Sequence, residues 1–114
     1  MIGKKFWIAS LATAAFIALP QIAAAEDGVA VDAIRSHNWV VAEQQLTANL
    51  EKNPNDVFSQ LNLAWVYAQT GRKTEAAAVY RDILKHVDRF ASSPRAGTSV
   101  AMLAERGLSL LKSK

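Results

Sequence analysis

The sequence predicts an all-α fold, built from antiparallel helical hairpins and closed by a C-terminal capping helix. Three observations predict it. Apolar residues recur at spacings of three and four over most of residues 29–112, which is helical periodicity. Turn signals rich in Asn, Pro and Gly separate these periodic stretches. The pattern also repeats with a period of about 34 residues, as expected for stacked helical units.

Residues 1–25 are predicted to be a secretory signal peptide. Lys4 and Lys5 form a basic start, and an uncharged run over residues 6–20 follows. Small residues at 23–25 predict cleavage after Ala25 and a periplasmic or secreted destination. An uncleaved membrane anchor remains the alternative, because residues 6–25 carry no charge over a length that just spans a bilayer. In both cases the two lysines keep the N-terminus inside.

The charge balance gives no indication of a nucleic-acid partner. The chain has 13 Lys and Arg against 10 Asp and Glu, and Lys4 and Lys5 leave with the signal segment, so the remainder carries 11 against 10. These charges are interspersed, and no basic patch with interleaved aromatic residues is present. Because the chain has no cysteine, its stability must come from helix packing without disulfides.

Two helices are predicted before the first turn. A short one covers residues 29–36, and a longer one covers residues 39–53 with Asn38 as its N-cap. Pro54 ends the second helix, since a residue before proline disfavours the helical region, and Asp56 caps the helix that follows. The expected buried residues of the two helices are Ala30, Ala33 and Ile34, then Ala42, Leu46 and Leu50.

A central hairpin is predicted over residues 56–88. Its first helix ends at Gly71, which adopts a left-handed conformation without strain, and Thr74 is the expected N-cap of the second. The expected core residues are Leu63, Ala64 and Tyr67 on the first helix and Ala76, Tyr80, Ile83, Leu84 and Val87 on the second.

A loop over residues 91–97 and a capping helix over residues 98–113, with Thr98 as N-cap, complete the predicted chain. Gly107 lies within the apolar stripe of this helix, which suggests close approach to a neighbouring helix, with a simple kink as the alternative. The stripe consists of Val100, Leu103, Ala104, Gly107 and Leu111.

If the sequence of the second hairpin helix is shifted back by one period of about 34 residues, it aligns with the helix predicted at 39–53. Ala76 falls on Ala42 and Tyr80 on Leu46. With these residues the chain resembles the tetratricopeptide repeat (TPR) family, whose markers here are Leu63-Ala64, Tyr67, Gly71, Ala76 and Tyr80, with Pro54 closing the preceding repeat. The resemblance implies a partial repeat at 26–56, a full repeat at 57–90, and TPR-like helical hairpins stacked as an α-α superhelix.

The sequence departs from the family pattern at several positions. Ala64, Ile83 and Asp88 replace a commoner glycine, alanine and proline in the full repeat. In the partial repeat, His37 stands in place of the glycine and Asn49 in place of an alanine.

Catalytic chemistry is not predicted. The two histidines, His37 and His86, lie in different hairpins, and no cysteine or histidine pair has metal-ligand spacing. The acidic residues Glu43, Glu51, Glu75 and Asp82 are expected on solvated helix surfaces. We therefore expect no enzyme, no cofactor and no metal site.

A second stripe on the helix at 57–70 is the candidate partner-binding surface. It consists of Phe58, Leu61, Asn62, Trp65 and Gln69, at spacings of three and four. In the TPR family such first helices line a groove where peptides dock. By that resemblance Trp65 and Leu61 would anchor an apolar group, and Asn62 and Gln69 would hydrogen-bond its backbone. The alternative is that Phe58 and Trp65 pack on the N-terminal helix or on the capping helix.

Two functions follow as expectations. The first is a non-enzymatic exported TPR adaptor or scaffold that binds a protein or peptide client. The second is a membrane-anchored or self-associating structural envelope protein. Because solenoids usually need at least three repeats to close a stable core, we also expect a marginal monomer, a homodimer, or a subunit that its client stabilises.

Overall fold

The computed structural model describes residues 28–90 and 94–112, and the predicted signal peptide lies outside them. Throughout these ranges the ordered elements are helical, as predicted, and no strand occurs. No helix among the described residues has both the length and the apolarity that crossing a bilayer requires. Over residues 28–90 and 94–112 the α-helices are α1 Val31–Arg35, α2 Trp39–Lys52, α3 Val57–Gln69, α4 Lys73–Lys85 and α5 Pro94–Lys112, with a 3-10 helix at Val87–Phe90.

Helices α1 and α2 form the first hairpin. Helix α1 is shorter than predicted, because Ala30 adopts a left-handed conformation (φ 72°) immediately before it. Ala33 is buried, whereas Ile34 is only half-buried. Helix α2 begins after Asn38, whose side-chain oxygen accepts a hydrogen bond from the Val41 N–H at 3.3 Å, so the predicted N-cap is confirmed.

A polar cluster joins the end of α2 to the start of α3. Asp56 is the N-cap residue of α3, as predicted, but its carboxylate bonds to side chains and to no backbone N–H of the helix. One oxygen of Asp56 accepts hydrogen bonds from the Ser59 hydroxyl and from the Asn49 amide, each at 2.8 Å. Because Ser59 is almost completely buried, this cluster satisfies a polar group that would otherwise destabilise the hairpin junction.

Gly71 ends α3 in the left-handed conformation that the sequence predicts, with φ 82°. The Arg72 N–H donates to the Tyr67 carbonyl at 2.8 Å and the Gly71 N–H donates to the Ala68 carbonyl at 3.3 Å, which is a Schellman ending. Helix α4 then begins at Lys73 with Arg72 as its N-cap residue. The prediction of Thr74 as N-cap is wrong, since that residue already lies in the first turn.

The same helix ending occurs one period earlier in the chain. His37 has φ 60°, the Asn38 N–H donates to the Ala33 carbonyl at 2.8 Å, and the His37 N–H donates to the Ile34 carbonyl at 3.0 Å. Helices α1 and α3 end one period apart, and helices α2 and α4 begin one period apart. The period seen in the sequence is therefore also a period of the backbone.

Two hydrophobic clusters hold the helices together, and α3 contributes to both. The smaller cluster joins α1, α2 and α3 through Ala33, Ala42, Leu46 and Val66. The larger one joins α3, α4 and α5 through Val57, Leu61, Ala64, Ala76, Tyr80, Ile83, Val100 and Ala104. Half of the core residues predicted for the first four helices are buried, and the other half are only half-buried, namely Ala30, Ile34, Leu50, Leu63, Tyr67, Leu84 and Val87.

Helix α5 packs against both α3 and α4. It begins at Pro94, so the predicted loop at 91–97 and the predicted start at 98 are wrong from residue 94 onward. Proline is well suited to the first helical position, because its missing N–H would have no partner there. Val100, Ala104 and Gly107 of the predicted stripe are buried against the neighbouring helices.

Candidate functional site

The five residues of the predicted docking stripe do not share one environment. Leu61 and Asn62 are fully buried, Trp65 is half-buried, and Gln69 is exposed. Phe58 is 39% exposed, and its Cβ lies close to the turn at Gly28. The stripe is therefore divided between the protein interior and the surface.

The prediction that Leu61 and Asn62 face a partner is corrected by their burial. Leu61 belongs to the larger hydrophobic cluster. The Asn62 amide donates a hydrogen bond to the Val29 carbonyl at 3.3 Å, which ties α3 to the segment before α1. Helical spacing groups residues on one face but does not say which neighbouring helix covers that face, and here other parts of the same chain cover it.

Trp65 and Gln69 meet at a surface pocket between α3, α4 and α5. The pocket has a volume of about 210 Å³. Its lining residues are Trp65, Ala68, Gln69, Lys73, Tyr80, Gly107, Leu110 and Leu111. The structure thus brings two predicted residues together with six that the docking prediction did not include.

Tyr80 is the most unusual residue of the pocket wall. Its side chain is fully buried, and among the described residues its hydroxyl has no hydrogen-bond partner. Burial raises the pKa of Tyr80 well above its ordinary value, because the charged form would lose its hydration. A buried hydroxyl without a partner destabilises a folded chain, and most native structures avoid it.

Gly107 lets α5 approach the Tyr80 ring. A Cβ atom at position 107 would lie 2.2 Å from Cζ of Tyr80 and 2.5 Å from both Cε atoms. No residue other than glycine therefore fits at position 107 without movement of the Tyr80 ring. The close approach predicted from the sequence is confirmed, and it brings the residues around position 107 to the pocket.

Lys73 is the charged residue among those that line the pocket. It is exposed and is the first residue of α4. Gln69 adds an exposed amide. None of the lining residues is acidic. The pocket therefore combines apolar walls with a cation and an amide at its edge.

The turn that presents Lys73 is fastened to the first hairpin. The Arg72 guanidinium donates two hydrogen bonds to the Glu43 carboxylate, of which the Nη1–Oε2 bond is 3.2 Å long. The guanidinium also lies 4.6 Å from the centre of the Tyr67 ring, within the range of a cation–π interaction. The hydrogen bond from Arg72 lowers the pKa of Glu43 below its ordinary value. These contacts fix the position of the residues next to the pocket.

The predicted docking stripe does not include Lys73, Tyr80 or Gly107. The sequence predicts that Tyr80 is a core residue, which is confirmed by its burial, and its position behind the pocket depends on where α5 packs. Gly107 gave the available signal, because a glycine within an apolar helical stripe marks the place where another side chain comes close. Lys73 follows the turn at Gly71, and the direction of its side chain depends on the residue at which α4 begins.

The histidines are not near the pocket. The His37 ring stacks on Trp39 with ring centres 5.1 Å apart. The His86 Nδ1 atom lies 3.3 Å from a carboxylate oxygen of Asp82 on the same helix. Within the described ranges, no group of three His, Cys, Asp or Glu side chains is arranged to hold a metal ion.

Comparisons with known proteins identify no relative. No family model matches the chain, and neither the curated proteins nor the solved structures include a significant match. Fold and site together define an all-helical protein with a small apolar surface pocket.

Proposed function

We propose that this chain is a non-enzymatic, exported adaptor of the TPR type that binds a protein or peptide partner. The observation that carries the proposal is the pocket between α3, α4 and α5, where Trp65 and Gln69 border an apolar space open to solvent. Concave, mostly apolar sites with a few polar groups are the usual form of a binding site. Trp65 supplies the type of side chain that most often dominates binding energy at interfaces.

The backbone period supports a repeat architecture of the TPR type. Two hairpins with the same ending, one period of about 34 residues apart, match the length of that repeat. Ala42 and Ala76, at corresponding positions, are both fully buried, and so are Leu46 and Tyr80. In this arrangement α5 covers the open end of the last hairpin, as a terminal capping element does.

Burial narrows the proposed partner surface to the side chains of the predicted stripe that reach solvent. These are Phe58, Trp65 and Gln69. Phe58 and Trp65 are separated by two helical turns along α3, which is about 10 Å. A partner peptide in contact with both would therefore run along α3, with its main anchor at the pocket.

Photo-crosslinking from defined positions tests the adaptor proposal. A photoreactive amino acid is placed at position 69, at the edge of the pocket, in the full chain expressed in cells that export it. The matched control position is Gln45, which is exposed on α2 and lines neither this pocket nor the one on the surface of α2. We expect a discrete crosslinked partner from position 69 that is lost with Trp65→Ala and is absent from position 45. Identical crosslinking patterns from both positions would contradict the proposal.

Two further measurements test its other parts. Intact mass of the purified chain shows whether residues 1–25 are removed, which the export proposal requires. Sedimentation of the purified chain shows whether it self-associates. If Trp65→Ala dissociates an oligomer but abolishes no crosslink to a different protein, the pocket is a contact between copies of this chain and the adaptor proposal is wrong.

A further inference from the structure

The two helices of the first hairpin are attached to the rest of the chain unequally. In the first half of α2, Glu43 accepts two hydrogen bonds from Arg72. Near the end of α2, the Asn49 amide donates to Asp56 and to Ser59, each at 2.8 Å. Helix α1 takes part in neither contact and packs mainly against α2. Both fastenings of α2 therefore remain when α1 is released.

Helix α1 contributes little to the protein interior. Of its five residues only Ala33 is buried. Helix α4, in comparison, buries Ala76, Tyr80 and Ile83. Because burial of apolar surface is the main favourable term in folding, α1 is held more weakly than α4.

Left-handed backbone conformations flank α1 on both sides. Ala30, immediately before the helix, has φ 72°, and His37, in the turn after it, has φ 60°. This conformation is unfavourable for a residue with a Cβ atom, more so for alanine than for histidine. Release of α1 allows both residues to return to ordinary backbone conformations. The strain therefore favours the released state, and the turn at His37 is the expected hinge.

One polar contact holds the segment before α1 against α3. The Asn62 amide donates to the Val29 carbonyl at 3.3 Å, slightly beyond the usual length of such a bond. Asn62 is buried while the segment lies over it, and water can replace the Val29 carbonyl once the segment moves away. The net cost of giving up this contact is therefore small.

We propose that residues 28–36, called the strap below, detach as one unit from α2 and α3 while α2–α5 stay folded, with His37 as the hinge. Weakly packed segments open in this way at a lower free energy than the whole domain. Opening uncovers the residues that the strap helps to bury, which are Ala42, Leu46, Asn62 and Val66.

The strap also lies beside one end of the docking stripe. A Cβ atom built at Gly28 would be 4.0 Å from the Cβ of Phe58. Opening therefore extends the surface that α3 offers to a partner, from the pocket towards Phe58. This consequence rests on the proposed function, whereas the opening itself does not.

Thiol labelling of the purified chain tests the strap, because the sequence has no cysteine of its own. Single cysteines are introduced as Ala42→Cys, in the cluster that the strap completes, and as Ala76→Cys, in the larger cluster. The two alanines are equally buried and lie one period apart, so each is the control for the other. We expect Ala42→Cys to react at least about tenfold faster, with a weaker dependence on denaturant, since a local opening exposes less surface than global unfolding.

Two glycine variants show which part of the chain opens. Ala33→Gly weakens the strap and should speed labelling at position 42 about fivefold. Ala78→Gly, at an exposed position of α4, weakens a helix that stays folded when the strap opens. It should speed labelling at position 76 about fivefold and leave labelling at position 42 unchanged.

Three results would overturn the proposal. They are equal labelling rates at positions 42 and 76, an equal effect of Ala78→Gly at both positions, and no effect of Ala33→Gly at position 42. The first two would mean that only global unfolding exposes position 42, and the third would assign its exposure to another segment.

Hydrogen exchange of the unsubstituted chain provides a second measurement that needs no cysteine. Within the strap, the Ile34 N–H donates to the Ala30 carbonyl at 2.9 Å. Its counterpart one period later is the N–H of Ala68, in α3. After correction for intrinsic rates, we expect at least about tenfold faster exchange at Ile34. Equal protection of the two amides would contradict the strap.

Failure of the strap differs from failure of the adaptor proposal. Labelling and exchange need no partner, so a strap that stays closed leaves the crosslinking result from position 69 standing. If the strap opens but no crosslinked partner depends on Trp65, the adaptor proposal is wrong and the strap remains.

Discussion

The ring of Tyr80 occupies the space that any side chain at Gly107 would need. A Cβ atom there would be 2.2 Å from the ring carbon that carries the hydroxyl. This contact sets the distance between α4 and α5, and it places the Tyr80 ring behind the pocket that Trp65 and Gln69 border.

Gly107→Ala should destabilise the chain by about 1–2 kcal/mol. Alanine gains about 1 kcal/mol in helix propensity relative to glycine. Overpacking of a tight site costs about 1–3 kcal/mol or more, and a Cβ atom 2.2 Å from a ring carbon is far inside van der Waals contact, so the cost exceeds the gain. Ser109→Ala is the control, since position 109 is exposed on the same helix and shows the gain in propensity without the clash. Denaturant unfolding measures both. An alanine at 107 as stabilising as the one at 109 would contradict the contact.

Tyr80→Phe should stabilise the chain without ligand by about 1 kcal/mol, because it removes a buried hydroxyl that has no partner within the described ranges. Thermal unfolding at neutral pH measures the difference. A clear loss of stability would mean that the hydroxyl has a partner in solution, and the prediction would be wrong.

Stability should also fall at alkaline pH because of Tyr80. Its pKa is raised by burial in the folded chain, so the unfolded chain releases the proton first as the pH rises above about 10. From there each further pH unit lowers the free energy of unfolding by up to about 1.4 kcal/mol. Tyr80→Phe should flatten this decline, leaving the smaller contribution of Tyr67, whose pKa is raised mainly by burial. Unfolding curves at neutral pH and above pH 10 compare the variants.

Glu43→Gln should lower stability at neutral pH and reduce its loss in acid. The pKa of Glu43 is lowered in the folded chain by the hydrogen bond from Arg72, so the stabilisation is present above the ordinary carboxyl value of about 4.3 and is lost as the pH falls below it. Because both side chains are about one-third exposed, added salt should weaken the effect. Glu51→Gln, which removes an exposed carboxylate from the same helix, is the matched control for the loss of one negative charge.

Gly71→Ala should cost about 1 kcal/mol for conformational reasons alone. The residue has φ 82°, where a Cβ atom is strained, and a Cβ built there meets nothing within 4 Å. The native-state structure should therefore be unchanged, and equilibrium unfolding should show the loss. If Gly71→Ala is neutral, the left-handed helix ending does not persist in solution.

Local patterns predicted most of the helical architecture. Asn38 and Gly71 mark helix ends by chemistry that depends on a few adjacent atoms, and both roles are present in the structure. The helix start at Pro94 had a local signal as well, because proline favours the first helical position, and the Ser- and Gly-rich composition of residues 91–97 obscured it.

The candidate binding surface was less predictable, because it depends on how helices that are distant in sequence pack. Leu61 and Trp65 lie on the same helical stripe, yet Leu61 is in the core and Trp65 borders the pocket. What separates them is the path of α5, and no pattern within α3 contains that information. Asn49 shows the same limit, since the reason for an amide at this position lies in its bonds to Asp56 and Ser59 across the turn.

Helix α3 leaves little room for evolutionary change, because both hydrophobic clusters draw side chains from it. Changes on α3 are tolerated mainly at the few exposed or half-buried positions that neither cluster uses, such as 58, 65 and 69. Homologues should therefore differ most at these sites and retain the clustered residues between them, so the surface can diverge while the scaffold stays the same.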